Sequence, residues 1–213
     1  MKYAKFYFLS LGIILLDQLV KLAVYYYMYK PFGFSGYEIP VFGDWFKLHY
    51  TENPGMAFGL KIAGNYGKLI LSLFRMIAVA GIAWYLYTLI RKNIHPGLLW
   101  CIALILGGAI GNVVDSTFYG VFLGNAPLGS PTPWFHGQVI DMFYIDICNC
   151  WIPEWVPFLG GQYYPLWPIF NIADAAIFVG VAVILIFQKR FFQDLSNDEN
   201  TVKTVENEEA KSE

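Results

Sequence analysis

Four apolar stretches, each close to the ~20 residues that carry a helix across a hydrocarbon core, constrain this chain more than any other feature. They cover about 6–28, 69–90, 97–114 and 168–187. Lipid offers the backbone no hydrogen-bond partners, so segments of this length and character read as transmembrane helices. Composition agrees: 57% of the 213 residues are hydrophobic and 14% charged, against about 25% charged in an average soluble domain. Lys2 and Lys5 precede the first stretch as they would a secretory leader. That stretch is longer than the roughly 7–15 apolar residues of a leader, and no A-x-A-like site follows, so it reads as a retained helix. A net charge of −2 offers phosphates no broad basic surface, which argues against a nucleic-acid partner.

The basic residues orient the bundle. Lys2 and Lys5 precede helix one, Arg91 and Lys92 separate helices two and three, and Lys189 and Arg190 follow helix four, whereas no Lys or Arg occurs between Asn93 and Gln188. The link between helices three and four is therefore expected outside, with both termini in the cytoplasm. Lys30, Lys47, Lys61 and Lys68 in the first outer loop are offset in part by Glu38, Asp44 and Glu52. The expected fold is an α-helical integral membrane protein whose four-helix domain spans residues 1–193. Its outer-side (periplasmic) segment holds short strands around Val41–Thr51 and an aromatic-rich, amphipathic insert. Trp151, Trp155, Phe158, Tyr163 and Tyr164 in that insert suit the headgroup region. Residues 194–213 form an acidic tail expected to be disordered.

Ionisable groups in a membrane helix cost a few kcal/mol each, so each needs a reason. Asp17 and Lys21, four apart, share a helix face. They read either as a self-neutralised pair or as a lysine orienting an outer loop or carboxylate. Asp174 lies six residues beyond Pro168, roughly 9 Å along helix four at ~1.5 Å per residue, with Asn171 on its face and no cation on its own helix. A functional carboxylate is the better reading. Helix three closes on Gly107-Gly108-Ala109-Ile110-Gly111-Asn112-Val113-Val114-Asp115. Its glycines suit close helix packing, and Asn112 with Asp115 reads equally as a loop anchor or as part of a site.

Asp141, set among apolar residues, and Asn53 fall on the same outer side as Asp115 and Asp174. Paired carboxylates that cannot both ionise share a proton and act as base and acid on one water, which is aspartic-peptidase chemistry. Competing chemistries lack their signatures. No G-x-S-x-G or H-E-x-x-H occurs, and His49, His95 and His136 are scattered and read as solvated loop residues. Cys101, Cys148 and Cys150 show no zinc spacing, and Cys148-x-Cys150 is too tight for an easy disulfide. No metal or cofactor is expected. A small proton-coupled transporter is the rival class, but it predicts internal repeats and polar groups at the midplane.

At these residues the chain resembles the lipoprotein signal peptidase (signal peptidase II) family. The likeness covers about residues 5–190. It rests on Asp17-Gln18 with Lys21, Asn53-Pro54-Gly55-Met56-Ala57-Phe58, Gly111-Asn112-Val113-Val114-Asp115, Val139-Ile140-Asp141 and Phe170-Asn171-Ile172-Ala173-Asp174. The resemblance implies a bacterial inner-membrane endopeptidase acting near the outer leaflet. It would remove signal peptides from diacylglyceryl-modified prolipoproteins, just before the lipid-bearing cysteine, and would be inhibited by globomycin-like cyclic peptides. Substrate and membrane lipids are its expected partners. It places the catalytic pair on Asp141 and Asp174. Asp115 takes a supporting role, and Asn53, Asn112 and Asn171 orient substrate or dyad. Two departures stand out: Ser116 replaces the arginine usual there, and the link from Thr117 to Gln138 is far longer than usual. Arg75, about 10 Å along helix two at ~1.5 Å per residue, reads either as a snorkelling or structural residue or as the replacement charge.

Overall fold

The structure is a computed structural model that describes residues 3–31, 33, 37–55, 66–92, 94–147, 149–157, 160–161, 163–165 and 167–191. The expected tail at 194–213, Met56 to Lys61, Cys148 and Phe158 lie outside the described residues. Four helices are long and apolar enough to cross a membrane. Helix α1 (Ala4–Val24) runs on through a π-helical turn, Tyr25–Tyr29. Helix α2 covers Gly67–Arg91. Helix α3 (Pro96–Val114) starts with proline in its first turn, where the His95 ring accepts the Gly97 amide. Helix α4 covers Ile172–Phe191.

Two helix boundaries depart from expectation, and both bear on the site. Helix α3 does not stop at Val114 but continues through a π-helical turn, Asp115–Tyr119, to Phe122. Asp115 is buried and paired, so it does not pull the chain out to water. Helix α4 begins at Ile172, not Pro168. The Phe170 backbone is committed to Phe143 by amide–carbonyl bonds of 3.1 and 2.8 Å in the two directions. Asn171 then caps the helix: its side-chain oxygen accepts the Asp174 amide at 2.9 Å, and the Asp174 carboxylate reaches back to the Asn171 amide at 3.4 Å. This reciprocal cap makes Asp174 the third helical residue, roughly 3 Å into the helix at ~1.5 Å per residue.

Helix α3 is the packing centre. At Gly108 an added Cβ would stand 2.3 Å from the Ala173 carbonyl oxygen, so only glycine admits α4 so closely. Leu86, Leu98, Ala103 and Leu106 form the core between the helices. Leu19, Ile77, Trp84 and Leu185 remain exposed on the outer helix faces, as lipid contact requires.

Both outer segments join one antiparallel sheet of order β1-β2-β3, made of β1 (Glu38–Phe42), β2 (Phe46–Asn53) and β3 (Val139–Ile145). Its register sets Thr51 opposite Asp141 and Asn53 opposite Val139. Beneath it a second core of Val24, Met28, Tyr50, Tyr119, Ile140 and Met142 seats the sheet on the helix ends. A small hairpin follows, β4 (Asn149–Trp151) with β5 (Tyr163–Pro165), and Trp151 and Trp155 are exposed there. Cys150 is disulfide-bonded, contrary to the expectation that the tight Cys148-x-Cys150 spacing leaves it unbridged.

Candidate active site

Two carboxylates from different layers meet where the sheet sits on the helices. Asp141 projects from β3 and is 1% exposed, while Asp174 is half-buried in the first turn of α4. Asn171 ties them together. Its side-chain nitrogen donates to Asp141 Oδ1 at 2.6 Å, while its backbone amide faces Asp174 Oδ2. Asn53, at the end of β2, donates to Asp141 Oδ2 at 3.0 Å, and Asn112 of α3 donates to Asp174 Oδ1 at 2.8 Å. Each carboxylate is thus held by amides that cannot themselves take its proton.

Burial pushes the Asp141 carboxyl up to about 7, and the neighbouring Asp174 charge adds to the rise. The Asn53 and Asn171 amides and the more distant Lys21 ammonium hold it back in part. A carboxyl so placed is able to exchange a proton near neutral pH, as a general acid or base requires. Glu52, next to Asn53, is also raised by burial, and it accepts from the Tyr50 hydroxyl at 2.8 Å and the Gln138 amide at 3.2 Å.

Beneath this pair lies a second set, built on the wholly buried Asp17, Lys21 and Asp115. Lys21 Nζ stands 2.8 Å from Asp17 and 2.6 Å from Asp115, and donates to Asn112 Oδ1 at 3.0 Å. The Asp17–Lys21 couple is therefore not self-contained: the lysine bridges α1 to α3 and fixes the amide that faces Asp174. Asp17 also accepts the Ala173 amide at 2.9 Å, clasping the start of α4. Gln18 donates to Asp115 Oδ1 at 2.8 Å and accepts from the Tyr119 hydroxyl at 2.9 Å. Asp115 is accordingly enclosed by Lys21 and Gln18 and does not approach the Asp141–Asp174 pair as a third partner.

Arg75 reaches the position that lacks an arginine: its guanidinium donates to the Ser116 hydroxyl at 3.2 Å. It also lies against Gly55, where φ is +78° and an added Cβ would fall 2.8 Å from a guanidinium nitrogen. No carboxylate lies within 4.0 Å of Arg75 among the described residues, although the charges of Asp174, Asp115 and Asp141 act on it.

Asn53, Ile145, Trp167, Phe170, Asp174 and Phe178 help to line a cleft of about 620 Å³, mostly apolar, on the Asp174 side of the pair. Its volume falls in the usual range for organic ligands. Phe178, exposed on α4, sets the cleft on a helix face turned to lipid.

All eight residues singled out in the sequence fall within these two linked sets. Sequence reasoning missed the part of Gln18, and it misplaced Lys68 and His136. The sequence counts Lys68 with the first outer loop and reads His136 as a solvated loop residue, whereas both are buried. Among the described residues no cluster of metal-ligating side chains occurs.

The signal peptidase (SPase) II family model matches residues 9–190. A lipoprotein signal peptidase of Amoebophilus asiaticus is 47% identical over 90% of this chain and 80% of its own length. Those of Porphyromonas gingivalis (39%, over 76% and 75%) and Chlorobaculum parvum (36%, over 88% and 97%) are also similar. A solved bacterial membrane enzyme shares the fold, with a TM-score of 0.55 over 91% of both chains at 22% identity. The chain belongs to the signal peptidase II family of membrane peptidases.

Proposed function

We propose that this protein removes signal peptides from diacylglyceryl-modified prolipoproteins by aspartic catalysis, with Asp141 and Asp174 as the reacting pair. The observation that carries this reading is the Asn171 bridge: one asparagine holds a carboxylate of the outer sheet against one of a membrane helix. The ionised member takes a proton from a water molecule, which attacks the scissile carbonyl, while the protonated member donates to the carbonyl oxygen. Collapse of the tetrahedral species returns a proton to the leaving amide nitrogen and restores the pair. The apolar cleft beside Asp174 suits the lipid-bearing cysteine, and it is where globomycin-like cyclic peptides would compete. Lys21, Asp17 and Asp115 support the site by fixing Asn112 and the start of α4. The enzyme would work in the bacterial inner membrane, with both termini cytoplasmic and the pair near the outer leaflet. The transporter alternative has nothing to support it.

The test is cleavage of a lipidated prolipoprotein by the purified wild type, Asp141→Asn and Asp174→Asn. Each variant should fold and bind but lose turnover by about two orders of magnitude or more. Near-normal cleavage by either would sink the assignment.

A further inference from the structure

Three buried side-chain atoms have no hydrogen-bond partner among the described residues: Asp115 Oδ2, Lys68 Nζ and His136 Nε2. The first is answered by the Lys21 ammonium at 2.6 Å. Lys68 is different. It is the second residue of α2, is 3% exposed and forms no ion pair within 4.0 Å among the described residues. The charges that reach it are those of Arg75, seven residues on along the same helix, and of Asp115 and Asp141.

The long outer insert docks on α2 one turn from Lys68. Ser72, one turn further along α2, donates its hydroxyl to the Phe135 carbonyl at 2.7 Å. The insert is pinned in turn to α3, through Phe135 amide to Thr117 carbonyl and Gly137 amide to Ser116 carbonyl, at 3.2 and 3.0 Å. His136 follows Phe135 and is fully buried, its Nδ1 facing the Trp134 carbonyl at 3.0 Å. A carbonyl only accepts, so that nitrogen carries a proton and donates it.

Four carboxyls, Asp17, Asp115, Asp141 and Asp174, then share a poorly solvated region with three cations, Lys21, Lys68 and Arg75. A net charge there is costly, and the set is neutral when one carboxyl of the four carries a proton. Asp17 and Asp115 are both held by Lys21, which leaves the proton to the Asp141–Asp174 pair.

We propose that Lys68 is a positioning residue for cleavage: its buried ammonium, unpaired among the described residues and one turn from the docked 117–138 insert, is the counter-charge that keeps the Asp141–Asp174 pair as a monoanion. The proposal rests on the reading of that pair as catalytic. The groups facing the pair are Asp17 and Lys21 from α1, Lys68 and Arg75 from α2, Asp115 from α3 and Glu52 from β2. Neither Lys68 nor Arg75 has a carboxylate within 4.0 Å among the described residues, but Arg75 donates to Ser116, whereas the Lys68 ammonium has no hydrogen-bond partner there.

The experiment measures kcat/KM against pH for the full-length protein in micelles, with a synthetic diacylglyceryl-cysteine peptide as probe. Removing a nearby cation makes ionisation of the pair harder, so both limbs move to higher pH. A unit charge about 10 Å away, at an effective dielectric near 20, is equivalent to about one pH unit. Lys68→Met should show that shift with KM and melting temperature held, while Lys30→Met, at the exposed end of the α1 extension, should show none. Ser72→Ala, which frees the insert and admits water, should shift the profile the same way by less. An unmoved profile in Lys68→Met, or a loss confined to KM, overturns the proposal. If Lys68→Met does not fold, an unmoved profile in Ser72→Ala does so. Normal cleavage by Asp141→Asn would instead refute the dyad, a result separate from an unmoved Lys68→Met profile.

Discussion

Asp141→Asn should make the protein more stable at alkaline pH while destroying its activity, because the ionised Asp141 works against the fold. The folded carboxyl titrates at about 7 against an ordinary 3.8. Between those values the native state holds a proton that the unfolded chain has released, so stability falls as pH rises through that window. The fall is complete once pH exceeds the folded value. At ~1.4 kcal/mol per pH unit it amounts to at most ~4 kcal/mol. Asparagine has no charge to bury. It also alters the contacts with Asn53 and Asn171, but that contribution does not vary with pH, so the informative quantity is how the difference between the two proteins changes. Thermal unfolding followed by tryptophan fluorescence, from pH 4.5 to 8.5, should show the melting temperature of Asp141→Asn gaining on wild type by on the order of 5–10 °C. The gain should shrink in an Asp174→Asn background, since the Asp174 charge is part of the cause. Melting curves that stay parallel across the range would refute the reasoning.

Asp115→Asn should lower stability by about 3 kcal/mol, because it leaves the buried Lys21 with a single carboxylate, yet cleavage should stay measurable. A variant as inactive as Asp141→Asn and as stable as wild type would require a third reacting carboxyl. Arg75→Gln should impair cleavage by about tenfold, equivalent to ~1.4 kcal/mol of transition-state stabilisation. Ser116→Arg in that background should restore part of it, since the two side chains already touch. Independent effects without rescue would show that the positions share no role.

The membrane segments were legible because a hydrocarbon span imposes a length and a composition that few other structures need. Asp17, Asp115 and Asp174 were legible for the same reason, since a charge in that medium calls for a partner or a task, whereas Asp141 stood out only as an acid among apolar residues of the outer segment. Residues whose role depends on where the chain folds back were not. Lys68 stands at the edge of an outer loop in the sequence, and its burial, one turn from where the insert docks through Ser72 and Phe135, depends on residues far away in the chain. The start of α4 was misread because Pro168 is a good opening residue, whereas Phe170 is already pledged to Phe143 across the chain. A local signal did exist in Asn171 and Asp174, three apart, the spacing of a reciprocal cap. The part of Asp115 could not be decided from its own motif, because Lys21 and Gln18 lie more than ninety residues away.

The five residues from Phe170 to Asp174 are where the rest of the protein is fastened. Strand β3 grips Phe170, Asn171 grips Asp141, α1 holds the Ala173 amide through Asp17, and α3 holds Asp174 through Asn112. They lead into the fourth helix, which leaves the ribosome after the other three. A nascent chain that has delivered only its first three spans already owns Asp141, Asn53 and the Lys21 cluster, but has nothing to set against that carboxyl. If Asp141 and Asp174 react as proposed, hydrolytic competence arrives in one step, when the fourth span is threaded and its cap closes. Copies synthesised only as far as the third span would then pass through the membrane beside other nascent chains without the means to cut them.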